Sequence, residues 1–263
     1  MGGPSCQVGA RSVGVGVRLF LRDAVLASGQ ELELPEGAAR HVQVLRLQPG
    51  DAVVLFDGRG GEWSAQVARM GRREVAVVVG PHQEVQRELP ISVTLALGMP
   101  TNDRMDSLVE KATELGVAAI QPLVCERSVL RLDGERAAKK VAHWQSVAES
   151  ACEQSGRTRV PVIHAVQTLK HWVETADARM HRALLSFEPS LSGGQWLAQG
   201  ERLTPQATHP GLCFLSGPEG GLTDAEEKRA RELDWVPVGL GARVLRADTA
   251  PLMMLSLVAG HVG

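Results

Sequence analysis

Two glycine-rich segments, each following an apolar run, carry the residues best suited to chemistry in this sequence. In the first, GLCFLSG is typical of a buried parallel strand and leads into Gly217-Pro218-Glu219-Gly220-Gly221. Glycines at the carboxyl end of a strand let a ligand contact the backbone itself, and open α/β sheets bind ligands at that edge. A plain strand-to-helix turn is the alternative, and this segment alone does not decide between them.

The second segment, GLGARVLRADTAPLMMLS, ends another predicted strand in Gly239 and Gly241 and then supplies Arg243 and Arg246. Neither segment contains a phosphate-binding lysine or a set of metal ligands. Two glycine-lined loops at adjacent strand ends therefore favour a ligand held mostly by backbone hydrogen bonds. An adenosine-bearing cofactor fits this description.

Helix signals follow both segments. Thr223 and Glu226 form a T-x-x-E capping box, which predicts a helix that starts just after Leu222. Asp248 or Thr249 can cap the last helix of the chain. Because that helix is apolar on every side, it must be buried on every side. A subunit interface or a central position in the fold would achieve this.

Several common nucleotide and metal motifs are excluded. LSGGQ at 191–195 resembles the signature of ATP-binding-cassette proteins, but no P-loop accompanies it. No G-x-G-x-x-G follows the first strand of the α/β region, so a Rossmann site is unsupported. Cys6, Cys125, Cys152 and Cys213 form no C-x-x-C pair and have no histidine at zinc spacing, so we expect free thiols and no metal.

Length and composition predict a globular protein of one or two domains. The chain has 263 residues, is 44% hydrophobic and carries a formal net charge of -2, so any contact with nucleic acid must use a local basic patch. No stretch approaches the ~18 uninterrupted apolar residues of a membrane span, and the N-terminus lacks a signal peptide. We therefore expect a cytoplasmic protein that does not enter a membrane.

The pattern along the chain predicts two domains after an extension, residues 1–16, that we expect to be flexible. Residues 17–90 contain short strands at the spacing of a small β-barrel, with one helical turn in EGAARHVQVL. Residues 91–263 alternate strands and helices, which predicts an α/β domain around a mainly parallel sheet. Within it, Asp103 is the expected N-cap of the first helix and Gly116 its stop, and residues 188–210 form a long surface loop.

LSGPEGGLT followed by LGARVLRADTA resembles the paired cofactor motifs of the bacterial 16S ribosomal RNA uridine-N3 methyltransferase family, within the SPOUT class. The likeness extends to DRMDSLVEKATELGV, PLVCERSV and ACEQSGR, and to LPEGAARHVQVLRLQPGDAVVLFDGRGGEW in the first domain. It covers roughly residues 17–260, with the motifs in family order. Ala247 and Asp248 stand where the family usually has threonine and glutamate, and Thr101 replaces a cation.

The resemblance implies a PUA-like β-barrel followed by a SPOUT α/β domain with a C-terminal trefoil knot, acting as a homodimer through the knot region. It implies methylation of N3 of a uridine in 16S ribosomal RNA, uridine 1498, in the small ribosomal subunit, with S-adenosylmethionine as the methyl donor and no metal. The positions implied to contact this cofactor are Leu185, Leu215, Gly217, Pro218, Glu219, Gly220, Gly221, Leu240, Gly241 and Leu245.

Transfer from a sulfonium cation to an anionic nitrogen gives two uncharged partners, so the reaction gains from a site with little water. Arg243 or Arg246 can stabilise the developing uridine anion through a charge-assisted hydrogen bond, and we favour Arg246. Glu219 and Asp248 are candidates for the base that removes the N3 proton. Two alternatives stay open: a SPOUT enzyme that methylates a ribose 2'-oxygen, and a non-catalytic PUA-type RNA-binding protein.

RNA contact is assigned to a group of basic residues that interrupt otherwise apolar motifs, although any single one can be a solvated surface charge. In the first domain they are Arg18, Arg22, Arg40, His41 and Arg46, and in the second Arg127 and Arg157.

Replacing Arg40 and Arg46 together with alanine should weaken RNA binding and flatten its dependence on salt, because fewer counterions are released on binding. The measurement is the RNA dissociation constant over a range of salt concentrations. An unchanged slope would remove the first domain from the RNA site.

Overall fold

The computed structural model describes residues 16–72, 74–199, 202–204 and 211–262. Apart from residue 16, the predicted N-terminal extension lies outside these residues. The chain divides between Val85 and Gln86 into two compact units. Among the described residues, no helix is both long and apolar enough to cross a membrane.

The first unit is a five-stranded sheet with one helix. Its elements are β1 Val17–Phe20, β2 Glu31–Glu33, α1 Glu36–Val44, β3 Ala52–Phe56, β4 Glu62–Met70 and β5 Val75–Gln83. The strand order is β1-β3-β4-β5-β2, antiparallel except for the parallel pair β1 and β3. In β5, Val77 and Val79 are buried while Val78 is 42% exposed, the alternation of a sheet with one covered face. The helical turn predicted in this region is confirmed as α1.

The second unit is a parallel sheet flanked by helices, so the predicted α/β class is confirmed. Its strands are β6 Val93–Gly98, β7 Ala119–Val124, β8 Val162–Ile163, β9 Gln167–Thr168, β10 His181–Leu185, β11 Leu191–Ser192, β12 Leu212–Ser216 and β13 Val236–Gly239. Its helices are α2 Asn102–Glu114, α3 Gly134–Ser155, α4 Leu169–Thr175, α5 Gly193–Leu197, α6 Asp224–Glu232 and α7 Thr249–Val262. The strand order is β11-β13-β10-β12-β6-β7-β8, with β9 also paired to β7, and each of these pairs is parallel.

The late strand β13 lies between β10 and β11, although β11 follows β10 in the chain. As a result β13, β10 and β12 are consecutive neighbours, and the loops that leave their carboxyl ends meet at one edge of the sheet. The trefoil knot implied by the resemblance would depend on how the chain passes through this region. The knot stays a prediction.

Hydrophobic side chains pack on both faces of this sheet. In β6, Leu95 and Leu97 belong to one cluster and Ala96 to another. In β12, Phe214 joins the first cluster and Leu215 the second, and every residue of the strand is buried. Burial on both faces is expected of a parallel sheet covered by helices, and it fixes the point at which the chain leaves β12.

Local signals set the helix ends, with one correction. The capping box is confirmed: the Thr223 hydroxyl accepts from the Glu226 N–H, and the Glu226 side chain accepts from the Thr223 N–H. Gly116, with φ of 93°, follows α2 as predicted. The prediction for Asp103 is wrong, because α2 has Thr101 at its N-cap position and Asp103 lies in the first turn.

The segment 188–210, predicted as a long surface loop, contains regular secondary structure and contributes a side chain to the core. It contains β11 and α5, and α5 begins with a capping box between Ser192 and Gln195. Trp196 is fully buried, with its ring 5.8 Å from that of Phe214. The prediction was wrong for this part because Gly193 and Gly194, which suggested a loop, are the first residues of α5. Residues 200, 201 and 205–210 lie outside the described part of the chain.

Candidate functional site

A cleft of about 320 Å³ opens where the loops after β10, β12 and β13 meet, and this volume is within the range of small-molecule sites. Its lining residues are Arg104, Leu185, Phe187, Ser216, Gly217, Pro218, Glu219, Gly221, Leu222, Glu227, Val244, Leu245, Arg246, Ala247 and Ala250. Four separate segments of the chain, and the N-terminal half of α2, therefore contribute to one cavity.

Six of the ten predicted cofactor positions line this cleft, namely Leu185, Gly217, Pro218, Glu219, Gly221 and Leu245. The other four do not. Leu215 is fully buried in the core, Leu240 is partly buried against it, and Gly241 is exposed. Gly220 faces away from the cleft, toward Arg127.

The segment 217–222, called the glycine loop below, needs two of its glycines for its own folding. A Cβ on Gly217 would lie 2.8 Å from the backbone nitrogen of Leu222, which is closer than real Cβ contacts allow. Gly221 has φ of 70°, in the left-handed region, and its N–H donates to the Pro218 carbonyl at 2.8 Å. The loop therefore folds back on itself in a tight turn beside the cleft.

Glu219 joins the glycine loop to the start of α2. Its Oε1 accepts from the Thr101 N–H at 3.0 Å and lies 3.6 Å from Nη1 of Arg104. Partial burial alone would raise the pKa of Glu219, but hydrogen bonds from Thr101 and from its own N–H, together with the charge of Arg104, lower the pKa. Glu219 is thus ionised at neutral pH, and its contribution to stability is lost only as pH falls through this lowered pKa.

Two buried oxygens near this edge have no hydrogen-bond partner among the described residues: Oγ of Ser216 and Oδ1 of Asp248. Ser216 is 3% exposed and lines the cleft, so its hydroxyl can bond to a ligand there. Asp248 does not line the cleft.

The cleft carries charges of both signs. Arg104 and Arg246 lie on its wall with Glu219 and Glu227, whereas Arg243 lies outside it; both Arg243 and Arg246 are exposed. The preference for Arg246 over Arg243 stays a prediction. Among the described residues, no three histidine, cysteine, aspartate or glutamate side chains gather as a metal site.

Eight further residues that the motifs did not predict line the cleft: Arg104, Phe187, Ser216, Leu222, Glu227, Val244, Ala247 and Ala250. Some are direct neighbours of predicted positions and could have been found by extending the motifs. Arg104 lies in the motif DRMDSLVEKATELGV, but nothing in the motif itself indicates that α2 reaches the cleft, where Arg104 lies 3.6 Å from Glu219.

Comparison with known proteins identifies the family. An RNA methyltransferase domain model matches residues 87–259, and an RNA methyltransferase PUA domain model matches residues 34–80. The ribosomal RNA small subunit methyltransferase E of Bacillus subtilis is 35% identical over 83% of this chain and 85% of its own length. The chain belongs to this methyltransferase family.

Solved structures of relatives agree with the fold. The ribosomal RNA small subunit methyltransferase E of Neisseria gonorrhoeae, bound to S-adenosylmethionine, is 34% identical with a TM-score of 0.83, over 92% of this chain and 96% of that one. A methyltransferase of Legionella pneumophila, in complex with the same cofactor, is 32% identical with a TM-score of 0.84, over 94% and 98%. The family therefore has the two-part architecture seen in this chain.

Four residues predicted to contact RNA are exposed on the first unit: Arg22, Arg40, His41 and Arg46. Arg40 and His41 lie on α1, and Arg46 follows the helix with φ of 56°, an uncommon conformation for arginine. Val44, which is 70% exposed, lies one helical turn after Arg40. The exposed end of α1 thus combines positive charge with an apolar side chain.

Two other arginines predicted to contact RNA are buried, and we assign them structural roles instead. Arg18 is 6% exposed, pairs with Glu62 and lies over the ring of Phe56. Arg157 is 4% exposed, and its Nε donates to Glu88 at 2.9 Å. Both guanidinium groups have carboxylate partners inside the protein. An arginine that interrupts an apolar motif is therefore not always a surface charge in this chain.

Replacing Arg157 with alanine should lower the free energy of unfolding by about 3 kcal/mol, because the partly buried Glu88 carboxylate would lose its guanidinium partner and keep the N–H groups of Thr158 and Arg159. Arg157 also donates to the carbonyls of Thr113 and Val117, at 3.0 and 2.9 Å. Urea unfolding measures the loss, with the exposed Arg159→Ala as the matched control. Equal stability of the two variants, with weaker RNA binding only for Arg157→Ala, would restore the RNA assignment.

Proposed function

We propose that this protein transfers a methyl group from S-adenosylmethionine to N3 of a uridine in 16S ribosomal RNA. The observation that carries the proposal is the cleft at the ends of β10, β12 and β13, in which the glycine loop and Arg246 face one cavity. Membership of the ribosomal RNA small subunit methyltransferase E family supports it.

The cleft residues fit this methyl donor, which carries an ammonium group, a carboxylate and a sulfonium. Glu219 and Glu227 supply negative charge, Arg104 supplies positive charge, and the glycine loop offers backbone groups. The buried hydroxyl of Ser216 offers a further hydrogen bond. When bound, the cofactor supplies an electrophilic methyl group.

Arg246 acts on the uridine in this proposal. Its guanidinium stabilises the negative charge that develops on the uracil ring as the N3 proton passes to solvent water, before the methyl group bonds to N3 and the sulfonium becomes a neutral thioether. Ionised Glu219 holds the glycine loop against α2 through Thr101 and Arg104, and its lowered pKa makes it a weak proton acceptor. We therefore give Glu219 a positioning role ahead of a role as base.

The two units divide the work. We propose that the predicted domain 17–90 binds RNA and that the predicted domain 91–263 is the methyltransferase domain, acting on the small ribosomal subunit in the cytoplasm; the boundary between the two compact units lies five residues earlier, between Val85 and Gln86. The exposed arginines around α1 supply the positive charge for RNA contact.

A homodimer is part of the proposal. One face of α7 is buried within the chain through Met254, Leu255 and Val258, while Leu257 stays 38% exposed. Val244, before α7, is 79% exposed. A second subunit would cover these apolar side chains. Sedimentation of the purified protein should give twice the mass of the chain, and a monomer at micromolar concentration would contradict the dimer.

Replacing Arg246 with alanine should lower kcat for methyl transfer by about 100- to 1000-fold, the effect of losing one donor to a developing anion. The dissociation constant for S-adenosylmethionine should change by only a few fold. Transfer of labelled methyl groups to small ribosomal subunits gives kcat, and calorimetry gives the dissociation constant. Equal losses in kcat and in affinity for S-adenosylmethionine would indicate that Arg246 is purely structural.

The position of the new methyl group tests the reaction itself. Mass spectrometry of nucleosides from 16S ribosomal RNA should find 3-methyluridine when the protein is present and lose it when the gene is deleted. A methylated ribose at the same site would instead indicate a 2'-oxygen methyltransferase, and a chain that binds RNA but not S-adenosylmethionine would be a non-catalytic binding protein.

A further inference from the structure

Arg127 contacts the glycine loop but does not line the cleft. It lies in the segment 125–131 after β7, called the arginine loop below. Its Nη1 donates to the carbonyl of Leu222 at 3.0 Å and to that of Gly220 at 3.3 Å. A Cβ on Gly220 would lie 3.0 Å from the Arg127 Cβ, so the two backbones are close together.

One of these bonds helps to fix the orientation of the peptide plane between Gly220 and Gly221. The carbonyl of Gly220 accepts from Arg127, and the N–H of the same plane, on Gly221, donates to the Pro218 carbonyl at 2.8 Å. Both polar groups of this plane therefore have partners inside the protein.

A second plane is fixed in the same way. The carbonyl of Leu222 accepts from Arg127, and the N–H of that plane, on Thr223, donates to Oε2 of Glu226 at 2.9 Å. Between the two fixed planes lies the peptide that joins Gly221 to Leu222, and both of these residues line the cleft. The orientation of that lining peptide thus depends on Arg127.

The arginine loop is itself held in place, so Arg127 is fixed relative to the sheet. The N–H of Glu126 donates to Oε1 of Glu226 at 2.9 Å, which ties the loop to α6. The Ser128 hydroxyl accepts from the Cys125 N–H at 2.9 Å, and Arg131 donates to the Glu126 carbonyl at 2.7 Å. Cys125 and Ser128 are buried at the base of the loop.

We propose that Arg127 is a positioning residue for the methyl donor and that its main contact is with the glycine loop, not with RNA. It holds the backbone of the glycine loop in the geometry that binds S-adenosylmethionine, without touching the cofactor. This inference rests on the proposed function, and it replaces the RNA role predicted for Arg127 from the sequence.

The test is calorimetry of S-adenosylmethionine binding without RNA, on the full chain and on Arg127→Ala. We expect the dissociation constant to rise about tenfold or more, because two hydrogen bonds from a charged donor are lost. The matched control is Arg136→Ala, an exposed arginine on the first turn of α3. Hydrogen exchange of the glycine loop should be faster in Arg127→Ala and unchanged in the control.

Kinetics separate positioning from a general loss of structure. In Arg127→Ala, KM for S-adenosylmethionine should rise while kcat at saturating cofactor and RNA stays close to that of the unchanged protein. The salt dependence of RNA binding should also be unchanged. Should Arg127→Ala fail to fold, Arg127→Gln is judged by the same measurements, since its shorter side chain cannot reach both carbonyls.

A dissociation constant for S-adenosylmethionine within twofold of the unchanged protein would overturn the inference, and a reduced salt slope beside it would return Arg127 to RNA contact. Failure of the unchanged protein to bind S-adenosylmethionine is a different result. It would remove the proposed function as a whole.

Discussion

The adjacency of β13, β10 and β12 is the constraint on which the candidate site depends. The loops that follow parallel strands lie at the same edge of the sheet. Because β13 is next to β10, the segment with Arg246 lies close to the glycine loop. Burial of β12 on both faces fixes where the glycine loop begins. The cleft is thus a consequence of strand order, and its side chains act only because the backbone brings them together.

The glycine loop is held from two sides, and this explains its composition better than ligand contact alone. Glu219 binds the start of α2 on one side, and Arg127 binds two carbonyls on the other. Gly217 and Gly221 are needed for the loop to fold back on itself. A rigid loop loses less conformational entropy when a ligand binds, so its backbone groups can be used efficiently.

Features encoded by neighbouring residues could be predicted from the sequence, and features that arise from tertiary contact could not. The Thr223 capping box needs only residues three apart, and it was predicted correctly together with the glycine-ended strand before it. Whether an arginine is buried depends on distant partners such as Glu88, so Arg157 looked no different from the exposed Arg40. The helix α5 was missed because glycines usually indicate a loop, although Ser192 and Gln195 have the spacing of a capping box.

The most direct test of the central claim is an experimental structure of this chain soaked with S-adenosylmethionine. We expect the cofactor in the cleft between the glycine loop and the segment 244–247, with a hydrogen bond to Ser216 and with backbone contacts from residues 217–222. Density for the cofactor at another place in the molecule, with this cleft empty at saturating concentration, would contradict it.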